Sequence, residues 1–556
     1  MLQEDQIVGS LVLDHLGIIS SVIDKIGLMS KIDARLPVSQ EKGAKLTMGE
    51  RVSAMILNGL GFMDDRLYMF PEFLSNKPVD KLFRPDVRSD MFNDHALGRC
   101  LDAISDYGPT NLFSEVAFEI GTAFNLLGKT ARLDTTTLTV FGEYDHPTLD
   151  SKSDNQTNEF KISHGYSKDG RPDLKQMVLN IATTGAKSFP IWMEAHKGNA
   201  SDKIILQQSA KRMSAFCKQL KAAPAFLFVS DSAMYEKCVI ENPAIHWLSR
   251  VPGSINQSKV YLQKSDKDIT WQILENGYKI SSFRQVYKGV DQRWLLVYSE
   301  QSYNKEVATL ERKIDNEYDS MRKVIDKFEN QLFSCKPDGE KALTFISKSI
   351  KYHELLITQV KEITKYNGQG RPKQGAQPTI IGYNLSIEMV PNRSKIDLLK
   401  AQQGRFILAT NELDNKVLTD HDILLEYKDQ YKTEQGFRFI KGNAFEVSSV
   451  FLKKASRIQA LMMVMTLCLM VYSFSELWLH QSLVQHNATV PNQLKKPTQK
   501  PTMIWVSRLF YGIHELHLKF KGYIKKYVIN LKKVTKQIIS YFGPKAMAIY
   551  GLKTNV

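Results

Sequence analysis

From Ile458 to Ser475 the chain runs IQALMMVMTLCLMVYSFS, eighteen residues without a charge. Such a run must cross a membrane or be enclosed by a large core, and eighteen residues lie near the short limit for a span. Gln459, Thr466, Ser473 and Ser475 dilute its apolar character, and the sequence holds no second run of this kind. The segment therefore reads as a buried helix, and a membrane anchor is the lesser alternative. A chain of 556 residues is long enough to enclose it, and exceeds what one ordinary core organises.

The five cysteines, Cys100, Cys217, Cys238, Cys335 and Cys468, are scattered and form no CxxC pair. Neither a disulfide framework nor a zinc ribbon is supported, and a reducing, cytoplasmic compartment is expected. The opening MLQEDQIVGSLVLD has acids where a secretory leader would carry bases. Charge is unevenly spread. Residues 485–556 hold 13 Lys or Arg and one acid, Glu515, whereas the rest of the chain sums to only +3. Trp505, Phe510, Tyr511, Phe520, Tyr523 and Tyr527 are interleaved with those bases. Basic charge with aromatics suggests a polyanionic partner; a solvated basic face or a membrane-surface helix is the plainer reading.

Residues 1–125 read as a helical accessory domain, with a capping box from Thr47 to Glu50. Near residue 130 the period changes. ARLDTTTLTVF is β-branched and carries Asp134 inside a strand, where Asp is disfavoured. Two strands meet around Thr184-Gly185, a helix spans Asp202–Ala222, and PAFLFVSDSAMY places Asp231 at the end of an apolar strand. This β-β-β-α-β order opens an α/β domain with a mixed sheet, residues 126–255. Residues 256–415 interrupt it. Asn276-Gly277 signals a hairpin, and Val307, Leu310, Ile314, Tyr318, Met321, Ile325, Phe328 and Leu332 mark a long amphipathic helix. KALTFISKSIKYHELLI is expected to be its antiparallel helical partner. NGQGRPKQGAQP lacks the Gly-Lys-Ser/Thr that would make it a phosphate loop. The core resumes over 416–485, and 486–556 form a basic C-terminal segment.

In YKDQYKTEQGFRFIK, residues Tyr427, Gln430, Glu434 and Lys441 are spaced by 3, 4 and 7. On one continuous helix the last three fall at about 300°, 340° and 320° from the first, a narrow polar stripe. Such a stripe ordinarily faces water. Asp134, Asp231 and Glu434 have equally plain readings singly, as a tolerated strand acid, a helix cap and a solvated acid. Converged, three carboxylates repel one another unless cations lie between them. Hard oxygen ligands without His or Cys pairs suit Mg²⁺ or Mn²⁺. Two ions roughly 3.5–4 Å apart serve phosphoryl transfer.

The order Asp134, Asp231, Glu434 resembles the DDE transposases of bacterial and archaeal insertion sequences, the group with a Tyr-Arg-Glu-Lys signature and a long insertion. LDTTT and VSDSAMY resemble the two Asp strands, and YKDQYKTEQGFRFIK resembles the signature. GYSKDGRPDLKQ, GRFILATN and VPNQLKKPTQKPT resemble further blocks. The likeness implies an RNase H-like core and catalytic, metal-binding Asp134, Asp231 and Glu434 with two divalent ions. It also implies endonucleolytic cleavage at the ends of a mobile element and strand transfer into target DNA, that is, transposition by DNA recombination. The partners would be duplex DNA, as terminal inverted repeats and target, and a second copy in a synaptic homodimer. The protein would be cytoplasmic and nucleoid-associated. Tyr427, Gln430 and Lys441 would contact DNA, with Gln430 standing where the signature has Arg and unable to make that bidentate charged contact. Arg171 and Arg250 are candidates to supply the missing charge, and Trp271 and Trp294 to stack on a flipped base, against core packing for each Trp. The rival readings are an RNase H-like nuclease without strand transfer and a domesticated, non-catalytic DNA-binding protein.

Overall fold

The structure, a computed structural model, describes residues 6–38, 45–61, 69–141, 160–185, 188–220, 224–367, 374–441, 452, 454–520 and 523–553. It divides into two compact units: residues 1–249 with 424–556, and residues 250–423.

In the first unit, strand β1 (Gln6–Val12) precedes a set of helices that includes Leu16–Lys25, Met48–Leu60, Asp94–Tyr107 and Pro109–Ala123. Thr47 Oγ1 accepts from Glu50 N–H at 3.1 Å, and the Glu50 carboxylate accepts from Thr47 N–H at 2.9 Å. This reciprocal cap, worth ~1 kcal/mol, starts the Met48 helix where the sequence places it. The uncharged run lies within the helix Ala455–Gln485, the one described helix long and apolar enough to cross a membrane. In its most apolar window 78% of the residues are buried inside the protein. The helices starting at Met48, Asp94 and Pro109 pack on it, as does the strand Phe189–Lys197.

The sheet of this unit comprises β2 (Thr130–Val140), β3 (Lys175–Thr184), β4 (Phe189–Lys197), β5 (Leu227–Ser230) and β6 (His246–Arg250), in the order β4-β3-β2-β5-β6. The first three are antiparallel neighbours, while β5 runs parallel to β2 and β6 parallel to β5. Side chains alternate across a sheet, so register fixes what each face meets. Asn180 of β3 donates to Ser209 of the helix Asp202–Gln219 at 2.7 Å. Thr183, of opposite parity, meets Thr433 of the helix Tyr431–Lys441 at 2.8 Å. The two helices therefore cover opposite faces.

In the second unit, β7 (Gln272–Ile273), β8 (Tyr278–Tyr287), β9 (Val290–Ser299) and β12 (Arg405–Thr410) form an antiparallel run in the order β7-β8-β9-β12. Asn276 and Gly277 turn the first hairpin with φ of 59° and 74°, left-handed values that suit these residue types. The amphipathic helix forms over Glu300–Glu329. Its expected helical partner forms only in part. The helix after Cys335 ends at Ser347, and residues from His353 belong to β10 (His353–Lys365), paired with β11 (Thr379–Pro391). Ile325 and Phe328 pack instead with Phe333, Leu343, Leu385, Ile387 and Met389.

A second correction concerns both ends of the chain. β15 (His514–Phe520) pairs with β1 on one side and with β16 (Tyr523–Ile529) on the other. The short pair β13 (Val490–Pro491) and β14 (Pro497–Thr498) precedes them. Residues 1–125 are thus not purely helical, and 486–556 are no independent segment. Glu515, the one acid among those bases, is fully buried against Lys81 and accepts from His517 at 2.8 Å. The buried carboxylate needs those cations, which holds the basic segment onto the N-terminal helices.

Candidate active site

The last paired residues of the parallel β2–β5 ladder are Arg132 and Val229. Two residues further along the chain from each stand Asp134, inside β2, and Asp231, one residue past the end of β5. Register thus carries both acids to one level at the end of the shared ladder. β3 pairs Asp134 with Ile181 and Arg132 with Thr183, so both side chains share the face on which Thr183 meets Thr433. Glu434, next to Thr433, is exposed in the first turn of its helix.

Arg132 fixes that helical region. Its buried guanidinium donates to Glu426 at 2.5 Å and to Asp429 at 3.4 Å, and Thr130 adds a bond to Glu426 at 2.9 Å. Phe437 and Ile440 are buried on the same stripe as Thr433, while on another side Phe439 lies 4.3 Å from the Tyr472 ring and a Cβ on Gly436 would reach Leu469 at 3.1 Å. Glu434 is thereby presented by a helix anchored at both its sheet face and its core face.

The three acids interact electrostatically. Burial pushes the Asp134 carboxyl up to about 7, and the charges of Asp231 and Glu434 add to the rise. Lys168 and the Thr135 N–H oppose it. Asp134 Oδ1 accepts from that N–H at 2.7 Å. Asp231 also caps the turn Ser232–Met234, taking Ala233 N–H at 2.9 Å, so its plain reading and its siting here coexist. Among the described residues, no three His, Cys, Asp or Glu side chains are grouped closely enough to enclose a metal ion. The donor chemistry nonetheless fits a hard dication: oxygen only, mutually repulsive, and costly to ionise without a counter-charge.

The single helix expected over YKDQYKTEQGFRFIK is broken. One helix spans Asp420–Lys428 and the next begins at Tyr431, with a turn at Asp429 and Gln430. The polar stripe is lost with it. Gln430 is buried, Tyr427 half-buried and Glu434 exposed. Lys441 Nζ pairs with Asp169 at 2.8 Å. Arg171, exposed, pairs with Asp173 at 2.7 Å. In the second unit, Arg250 lies over the Phe406 ring at 5.2 Å. Trp294 is fully buried, edge-on to Phe283 and Tyr261, and donates to Gln292 at 2.9 Å, which leaves it no face for a base. Trp271 is half-buried, donating to Asp266 at 3.0 Å beside Arg405.

Lys168 went unmarked in the sequence. Its ammonium binds Thr135 O at 2.8 Å, Thr135 Oγ1 at 3.0 Å and Asp202 at 2.9 Å. The signal was only its place in GYSKDGRPDLKQ, and its target lies 33 residues away.

Residues 8–118 match a family described as a domain of unknown function, DUF4277. No curated protein matches the sequence. Among solved structures, the chain is similar to a piggyBac transposase synaptic complex with hairpin DNA, at 8% identity and a TM-score of 0.35, over 99% of this chain and 88% of that one. At that score the likeness assigns this chain neither fold nor activity.

Proposed function

We propose that the protein is a DNA transposase of the DDE type, cutting at insertion-sequence ends and joining them to target DNA. The observation that carries this reading is the level placement of Asp134 and Asp231 on adjacent parallel strands, with the Glu434 helix on the same face. The strand order, three antiparallel strands followed by two parallel ones, supports an RNase H-like core. Asp134, Asp231 and Glu434 would hold Mg²⁺ or Mn²⁺. Bound there, such ions activate an attacking oxygen and stabilise a leaving one in phosphodiester exchange. Asp134, half-buried, supplies a carboxylate whose charge is strongly destabilised until neutralised. Lys168 tethers the 165–174 loop to β2 beside it, and Lys441 ties the same loop to the Glu434 helix. A DNA backbone drawn to this site would bind with strong salt dependence.

The test is cleavage of a duplex bearing the terminal inverted repeat that flanks the reading frame, with Mg²⁺. Asp231→Ala should cut ~10³-fold more slowly, the loss of several kcal/mol of electrostatic stabilisation, and still bind the duplex. Cutting at the wild-type rate would sink the assignment. Joining of pre-nicked ends separates a transposase from a nuclease that only cuts.

A further inference from the structure

The sheet β1-β15-β16 has two unlike faces. Pairings Glu515↔Val528, His517↔Lys526 and Lys519↔Ile524 define one. That face holds buried Glu515 with Lys81, and Lys526 beside Asp80, so its Glu515 end is turned onto the helices, while Lys519 and Ile524 at the hairpin end are exposed. The other face carries Leu516, Leu518 and Phe520 of β15 opposite Tyr527, Lys525 and Tyr523 of β16. Leu516 and Leu518 are half-buried, and Tyr523, Lys525 and Tyr527 are exposed. Tyr523 is 76% exposed, Tyr527 47% and Phe520 38%, while Ile7, opposite Leu518, is 68% exposed. Lys525 Nζ lies over the Phe520 ring at 4.5 Å.

Three aromatic rings and a cation on an open sheet face are costly to leave in water without a purpose. We propose that this face binds single-stranded nucleic acid, with bases stacking on Tyr523 and Tyr527 and the strand's phosphates drawn by Lys525. Stacking on an open sheet is how such faces take unpaired bases, since every base offers a flat π surface. Tyr523 and Tyr527 lie four residues apart on one strand, roughly 13 Å at strand rise, room for separate bases. The charge argues against the competing occupant, a second copy of the same face. Residues 485–556 carry a net +12, and two such surfaces repel where a polyanion is attracted. The inference needs nothing of the carboxylate site.

Fluorescence anisotropy of the full chain with labelled twenty-nucleotide oligo(dT), oligo(rU) and a duplex of equal length tests it. Wild type should bind oligo(dT) or oligo(rU), and the comparison of the two identifies DNA or RNA as the source. Tyr523→Ala and Tyr527→Ala should each weaken that binding by roughly 5- to 100-fold. Tyr523→Phe should retain it. The proposal is overturned if Tyr523→Ala/Tyr527→Ala binds as wild type with native circular dichroism. It is equally overturned if the wild type binds no single strand, or if the double variant turns a dimer into a monomer with single-strand affinity intact.

Discussion

Lys441 and Asp169, 272 residues apart in sequence, meet as an ion pair at 2.8 Å. Lys441 therefore ties the Glu434 helix to the loop that Lys168 pins to β2. Both partners are about a quarter to a third exposed, so the pair itself contributes less than ~1 kcal/mol to stability.

If Lys441 exchanges Asp169 for a phosphate, the two halves of the pair have opposite effects on DNA. Lys441→Met should weaken duplex binding and lower the slope of log K against log salt by ~1. Asp169→Asn should strengthen binding by releasing the ammonium. Titrations at three salt concentrations check this, and shifts in the same direction for both variants refute it.

Asp134 makes stability fall with pH in metal-free buffer. Its carboxyl is raised to about 7 by burial and by the neighbouring acids, so the folded chain keeps a proton that the unfolded chain releases near pH 4. The group's contribution is intact below about pH 4 and is lost as pH rises through 7. Asp134→Asn should stabilise the protein at pH 8 by up to ~4 kcal/mol and change nothing at pH 4. Lys168→Met, which removes an opposing charge, should steepen the loss. Urea unfolding with EDTA at both pH values measures it.

Glu194 has the opposite sign. Burial alone would raise its carboxyl, but hydrogen bonds from His196, Arg212 and Ser209, with the Arg212 charge, overrule burial and lower it to about 2. Its contribution is present above about pH 4.5 and is lost as pH falls toward 2. Glu194→Gln should cost ~3 kcal/mol at pH 7 and little at pH 2. Thermal unfolding across that range checks the crossover.

The places of Asp134 within a strand and of Asp231 at a strand's end were legible in the sequence because each breaks a strong local pattern, an acid within or ending a β-branched or apolar run. The helix break at Asp429 and Gln430 was not. Its residues all tolerate helix, and the break follows from tertiary ties of Glu426 and Asp429 to Arg132, on a strand almost 300 residues earlier. The stretch from His353 was misread for a related reason. The apolar spacing in ISKSIKYHELLI suits a helix locally, and pairing with Thr379–Pro391 decides for a strand. Trp294 shows the limit of composition: an aromatic suited to stacking looks the same in sequence as one that fills a core.

β1 leaves the ribosome about 500 residues before its partner His514–Phe520. At ~5–20 residues per second that is roughly 25–100 s of waiting. Residues 250–423 are contiguous and can become compact meanwhile. The sheet that joins β1 to β15 therefore closes only once residue 520 has emerged, and until then the edge of β1 stands open to chaperones or to mispairing.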